Sequence, residues 1–151
     1  MSRSRSYNGF RTPFSCKGRI RVASRLGTLA ERVTLTGGDF YVDPLPAGAD
    51  LAWLSAIVHQ NSREQNRALF RSVFTAVAPG GHVLIRDIVM EASRTAPVAG
   101  AMFAVNMLAG TPQGGTFTLD ELREDLEQAG FTDVSLIRRD EGMHSVVQAR
   151  R

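Results

Sequence analysis

Pro79-Gly80-Gly81-His82-Val83-Leu84-Ile85-Arg86-Asp87 marks a change of period in the chain. Pro-Gly-Gly stops a preceding helix, and His82 to Met90 then reads as a buried strand with Val83-Leu84-Ile85 at its centre and Arg86-Asp87 towards its end. On the amino side, Leu69, Phe70, Val73, Phe74 and Val77 fall on one helical face, and Ser62 with Gln65 forms the capping box that starts the helix. Further back, the loop Asp43-Pro44-Leu45-Pro46 leads into a second apolar run, Ala49 to Val58, which also reads as a buried strand. Ile20 to Leu29 suits a helix, and Arg32–Thr36 a short strand ending at Gly37-Gly38-Asp39.

On the carboxyl side, Val98 to Leu108 reads as a helix ended by Gly110-Thr111-Pro112. Thr118 and Glu121 make a second capping box, with Leu119, Leu122, Leu126 and Ala129 at helical spacing and Gly130 placed for a left-handed cap. Phe131–Ile137 and Met143–Ala149 then form two strands around Asp140-Glu141-Gly142, read as a tight hairpin. Strand, helix, strand, helix and a terminal hairpin predict an α/β sheet, mostly parallel, with an antiparallel carboxyl-terminal hairpin.

The 151 residues suit one domain, and 43% hydrophobic with 22% charged residues argues against wholesale disorder. The single Cys16 excludes an internal disulfide. Ala96 to Gly110, the longest greasy stretch, is interrupted by Asn106 and falls short of the ~20 apolar residues of a membrane span. The expectation is a soluble, cytoplasmic protein with no membrane partner. Its net charge of +3 hides an asymmetry, because residues 1–30 hold seven basic groups and no acid. Gly9, Pro13 and Gly18 break any amphipathic helix there, so residues 1–18 read as a basic, disordered segment. A nucleic-acid arm is the weaker reading, since a flexible basic arm without a folded basic surface binds only in a salt-sensitive way.

No G-x-G-x-x-G, Walker-type loop or G-x-S-x-G elbow occurs. His59, His82 and His144 lack metal-ligand spacing with one another or with Cys16, so no metal site is expected. What remains is Asp39, His59 and Asp87, each following a predicted strand, at the edge where open α/β sheets form their ligand crevice. Histidine side chains titrate at about 6.5 when unperturbed, which suits a general base. His59 could equally be a helix-start residue bonding the following turn, Asp39 a turn residue, and Asp87 a surface carboxylate paired with Arg86.

Taken in order, Gly37-Gly38-Asp39-Phe40, Ala49-Asp50-Leu51, Val58-His59-Gln60-Asn61-Ser62, Pro79 through Asp87, Asn106-Met107-Leu108, Thr118-Leu119-Asp120-Glu121-Leu122 and Ala129-Gly130-Phe131 carry a resemblance. From about Arg21 to Arg151 the chain resembles the carboxyl-terminal catalytic half of the class I, S-adenosylmethionine-dependent O-methyltransferases of the plant caffeate and bacterial carotenoid or polyketide type. The resemblance implies a partial Rossmann-like methyltransferase sheet over residues 19–151. It also implies methyl transfer from S-adenosylmethionine to a hydroxyl of a small, aromatic or polyketide-like molecule. It makes His59 the general base and Asp87 the acidic residue beside it. Asp39 and Phe40 take the adenine of the cofactor, Ser55 stands at a cofactor-contacting position, and Asn106 and Met107 line the acceptor pocket.

The chain departs from the family pattern at several points. The Gly-rich loop and the ribose-binding acidic residue are not among its segments, and the amino-terminal helical dimerisation domain is absent, so a truncated enzyme with weak cofactor binding is expected. Gln60 replaces the usual Asp, Thr116 a second carboxylate, and Ser55 the usual Lys. The strands expected between Arg32–Thr36 and Ala49–Val58 are missing, which leaves Leu51–Val58 as an open edge suited to a homodimer. The alternative reading is a non-enzymatic relic or accessory module that binds a partner through that edge.

Overall fold

The computed structural model describes residues 32–34 and 36–151. Residues 1–18 and the predicted helix Ile20–Leu29 lie outside them. The described residues fall in two compact units divided between Asp43 and Pro44. In the first, the described residues of the expected strand Arg32–Thr36 are exposed and belong to no strand. A segment that short has no stability without a neighbour to pair with.

The second unit runs β1 (Ala49–Ser55), a 3-10 turn (Val58–Gln60), α1 (Arg63–Ala76), β2 (Val77–Asp87), β3 (Val89–Met90), α2 (Val98–Gly110), β4 (Phe117–Thr118), α3 (Leu119–Gln128), β5 (Thr132–Arg138) and β6 (Ser145–Arg150). Its main sheet has the order β1-β2-β6-β5. β1 and β2 are parallel, while β2–β6 and β6–β5 are antiparallel, so the sheet is mixed rather than mostly parallel. The terminal hairpin forms as expected and contributes both antiparallel pairings. It is not tight: residues 139–144 form a six-residue loop, in which Asp140 accepts from the N–H groups of Gly142 and His144. Those bonds hold its carboxyl below the usual carboxylate range.

Both capping boxes form, on Ser62/Gln65 and Thr118/Glu121. They set the two amphipathic helices in register with the sheet. Leu69, Phe70 and Val73 of α1 and Leu122 and Leu126 of α3 are buried together with Val83, Ile85, Val147 and Ala149 of the sheet. Val83 faces Ala149 and Ile85 faces Val147 across β2 and β6, which places these four on one side. Phe74 and Phe131 meet edge to face at 5.1 Å beneath Gly130, whose positive φ closes α3. The helices are also tied by charge. Asp125, 1% exposed, accepts from Arg63 (Nε 3.0 Å, Nη2 2.8 Å) and from Arg67 Nε at 2.6 Å. With Glu124 it pushes the Arg63 guanidinium above its usual range.

Two strand expectations change. Ala49 to Val58 is not one buried strand: β1 stops at Ser55, forms the end of the sheet, and leaves Leu51 and Trp53 about half exposed on the side away from the core. His82 to Met90 divides at Ile88, after which Val89-Met90 pair in parallel with Phe117-Thr118 in a separate two-stranded sheet. β2 also begins earlier than expected, at Val77, because Pro79 and Gly80 sit in a register shift between Ala49 and Leu51 rather than outside the strand. At Gly81 the neighbouring backbone comes so close that an added Cβ would lie 2.7 Å from the Asp50 carbonyl oxygen.

Gly81→Ala is therefore expected to lose about 1–3 kcal/mol by overpacking against backbone that cannot yield. Gly110→Ala, with open space around it at a helix end, should be neutral or slightly stabilising. Urea denaturation of both variants checks the pair; equal midpoints would contradict the packing described for β1 and β2.

Candidate active site

Ala56 takes a positive φ of 56° immediately after β1, and its N–H is retained by the Arg86 carbonyl at 3.0 Å. The chain therefore leaves the sheet abruptly and coils into the 3-10 turn that carries His59. β2 ends alongside at Asp87. Histidine Nδ1 lies 2.9 Å and 3.0 Å from the two carboxylate oxygens, with His59 and Asp87 only 7% and 1% exposed. Asp87 Oδ1 also accepts the Ile88 N–H at 2.8 Å. The reading of Asp87 as a surface carboxylate paired with Arg86 is thereby overturned.

An ionised carboxylate only accepts, so Nδ1 must be the protonated nitrogen. In the neutral ring that leaves Nε2 as a lone-pair acceptor. It has no hydrogen-bond partner among the described residues, and no side-chain nitrogen or oxygen is both sealed from solvent and unpartnered, so Nε2 is open to a reactant.

Besides Asp87, three contacts hold the turn. Asn66, fully buried on α1, donates from Nδ2 to the Val58 carbonyl at 3.0 Å and accepts from Asn61 Nδ2 at 2.9 Å. The Gly115 N–H donates to the His59 carbonyl at 2.9 Å. Gly114 leaves room for that approach, since a Cβ there would lie 2.5 Å from the same oxygen. Phe103 of α2 presents an edge-to-face contact to the imidazole, with centroids 4.9 Å apart. Neither Asn66 nor Phe103 was singled out from sequence. Asn66 had a signal, a polar residue three and four positions before Leu69 and Phe70 on the buried face of α1.

The other expected residues are placed less centrally. Asn106 is exposed and Met107 half-buried on α2, and neither hydrogen-bonds to His59; the α2 residue that touches the ring is Phe103. Thr116 is buried without a bond to the imidazole. Gln60 is exposed and turns back to the Ala56 carbonyl. Ser55 Oγ accepts from Arg86 Nε at 2.8 Å.

Asp39 and Phe40 belong to the other unit. There Asp39 and Asp43 close a turn in which Asp39 N–H donates to Asp43 Oδ2 at 2.7 Å and Asp39 Oδ1 accepts from Tyr41 N–H at 3.0 Å. Phe40 and Tyr41 lie with ring centroids 4.3 Å apart. A carboxylate beside two aromatic rings fits an adenine, which offers an amino donor and a flat face. Among the described residues no group of three or more His, Cys, Asp and Glu could hold a metal ion, and no helix is long and apolar enough to cross a membrane.

A buried histidine–carboxylate pair at the carboxyl edge of a mixed α/β sheet defines a candidate acid–base centre on a methyltransferase-type fold. The chain matches the O-methyltransferase domain family over residues 18–132 and belongs to that family. It is 36% identical over 120 residues to a 3-hydroxy-5-methyl-1-naphthoate 3-O-methyltransferase of Streptomyces sahachiroi, covering 80% of this chain and 33% of that protein. Human N-acetylserotonin methyltransferase, solved in complex with SAM, superposes with a TM-score of 0.74 at 27% identity, over 80% of this chain and 34% of that one. A family 2 O-methyltransferase of Planctomyces limnophilus in complex with apigenin gives a TM-score of 0.74 at 25% identity, over 89% and 40%. The chain spans about a third of the length of the curated relatives it matches.

Asn66→Ala is expected to cost about 1–3 kcal/mol, because it leaves the buried Val58 carbonyl without its side-chain partner. It should also free the His59 turn, seen as broadening of the His59 ring signals in NMR spectra. A variant as stable as the parent with unchanged ring signals would show that Asn66 does not hold the turn.

Proposed function

We propose that residues 19–151 are part of the catalytic domain of an S-adenosylmethionine-dependent O-methyltransferase, with His59 as general base. The observation that carries this reading is the double approach of His59 Nδ1 to the buried Asp87 carboxylate. When bound, S-adenosylmethionine supplies a methyl group activated by its attachment to a sulfonium. His59 Nε2 accepts the proton of the acceptor hydroxyl, so that the oxygen can form its new bond to carbon without carrying positive charge. Asp87 fixes the tautomer and stabilises the imidazolium that results. The resemblance assigns Asp39 and Phe40 to the adenine, by hydrogen bond and by packing, and Ser55 to a cofactor-contacting position. Phe103 orients the imidazole, and Asn106 and Met107 of the same helix line the acceptor pocket.

The acceptor is a small hydroxylated aromatic or polyketide-like molecule. The naphthoate in the name of the Streptomyces relative and the apigenin bound to the Planctomyces protein support that class. A second reading, an accessory module that pairs through the outer edge of β1, is favoured by the place of β1 at the end of the sheet order, with no partner strand on its outer side among the described residues.

Methyl transfer to a naphthol acceptor, followed with radiolabelled S-adenosylmethionine, separates the readings. His59→Gln should lower the rate at least ~100-fold, the usual contribution of a positioned general base. His82→Gln should change it less than about twofold, because His82 lies five strand residues from Asp87, about 16 Å along β2. A rate that survives His59→Gln, or no transfer by the unaltered chain, would contradict this assignment; the latter favours the accessory module.

A further inference from the structure

Ser55 and Arg86 stand opposite each other at the carboxyl ends of the parallel pair β1 and β2. Arg86 alternates with Asp87 and so points to the opposite face of the sheet from the His59 pair. Arg86 is half-buried as a residue, with Nε donating to Ser55 Oγ at 2.8 Å and Nη1 donating at the exposed side to His144 Nδ1 at 3.0 Å. Both partners are neutral acceptors: a histidine nitrogen that accepts from arginine carries no proton. Arg86 makes no ion pair among the described residues, whereas the half-buried Arg63, Arg67 and Arg123 pair with carboxylates; the half-buried Arg151 also lacks one, but donates to the Thr75 and Val77 carbonyls and lies over the Phe74 ring. Of the two carboxylates in the loop before His144, that of Asp140 is turned to backbone N–H groups, and the exposed Glu141 makes no ion pair with Arg86.

A half-buried arginine held on neutral groups lacks the counter-charge that Arg63, Arg67 and Arg123 have. Two of its five N–H donors are engaged here. The remaining donors, on Nη1 and Nη2, form the fork that matches a carboxylate. The location is the sheet edge at which open α/β folds bind ligands.

The geometry points to a carboxylate-binding site formed by Arg86, with Ser55 and His144 as the residues that orient its guanidinium. Ser55, expected to touch the cofactor itself, acts through Arg86. The choice of a carboxylate rests on the methyltransferase reading, which offers two sources: the amino-acid end of the methyl donor and the acid group of an aromatic acceptor.

The test uses the full chain labelled with ¹⁵N-arginine, the Arg86 Nε–Hε signal being assigned by its loss in Arg86→Lys. Three carboxylates are titrated, acetate, 1-naphthoate and S-adenosylhomocysteine, each beside its carboxyl-free counterpart: acetamide, 1-naphthol and decarboxylated S-adenosylhomocysteine. The expected result is a saturable shift of the Arg86 signal with at least one carboxylate and with none of the counterparts. Arg86→Gln should weaken binding of that carboxylate ten- to a hundredfold, with a folded-state spectrum otherwise retained. A shift with S-adenosylhomocysteine assigns the site to the donor, and a shift with naphthoate alone assigns it to the acceptor. A shift with acetate or naphthoate but no S-adenosylhomocysteine binding anywhere on the chain would sustain the site while removing the methyltransferase reading. No carboxylate moving the Arg86 signal, or equal affinity in Arg86→Gln, would overturn the proposal whatever the methyl-transfer assay gives.

Discussion

A carboxylate that is 1% exposed must be satisfied by donors within the protein, and for Asp87 those donors are His59 Nδ1 and the Ile88 N–H. This requirement fixes more than one side chain. It orients the imidazole, decides which nitrogen carries the proton, and binds the loop after β1 to the end of β2. The surrounding contacts make the same demand from other directions. Asn66 ties the turn to α1, Gly115 holds the His59 backbone, and Phe103 limits the tilt of the ring. Removing either partner would leave a buried polar group unmatched, which is why the pair constrains the whole edge of the sheet.

β2 separates two kinds of chemistry by the simple alternation of a strand. Val83, Ile85 and Asp87 face the helices, and the polar member of that series lands where the core opens at the crevice. Leu84 and Arg86 face the other way, with Trp53 and Ser55 of β1 beside them in register. The core side is closed by α1 and α3, which are joined through Asp125 between two arginines. Such a buried charge is tolerated because its oxygens are fully engaged by Arg63 and Arg67.

Local features were legible in the sequence because their physics is local. The two capping boxes, the apolar faces of α1 and α3, the cap at Gly130 and the terminal hairpin all depend on residues a few positions apart. His59 and Asp87 were found as separate residues at strand ends, but their contact spans 28 positions and depends on how β1 and β2 pair. Strand alternation already argued against an Arg86–Asp87 pair, since neighbours on a strand face opposite sides. The bond from Arg86 to Ser55 required the register of two strands 31 positions apart. The early end of β1 was hidden because Ile57 and Val58 continue the apolar run, although they serve the turn and the core rather than the strand. The βαβ order alone points to a mostly parallel sheet, but the hairpin supplies two of its three pairings.

The central claim is that Asp87 holds His59 with its proton on Nδ1 and its lone pair on Nε2. Long-range ¹H–¹⁵N correlation spectra of the imidazole, recorded at a pH where His59 is neutral, test this most directly. The account predicts an Nδ1 shift typical of a protonated nitrogen and an Nε2 shift typical of a bare one, the distinction weakening in Asp87→Ala. An Nε2-protonated ring in the unaltered chain, or the same tautomer populations in Asp87→Ala, would contradict it.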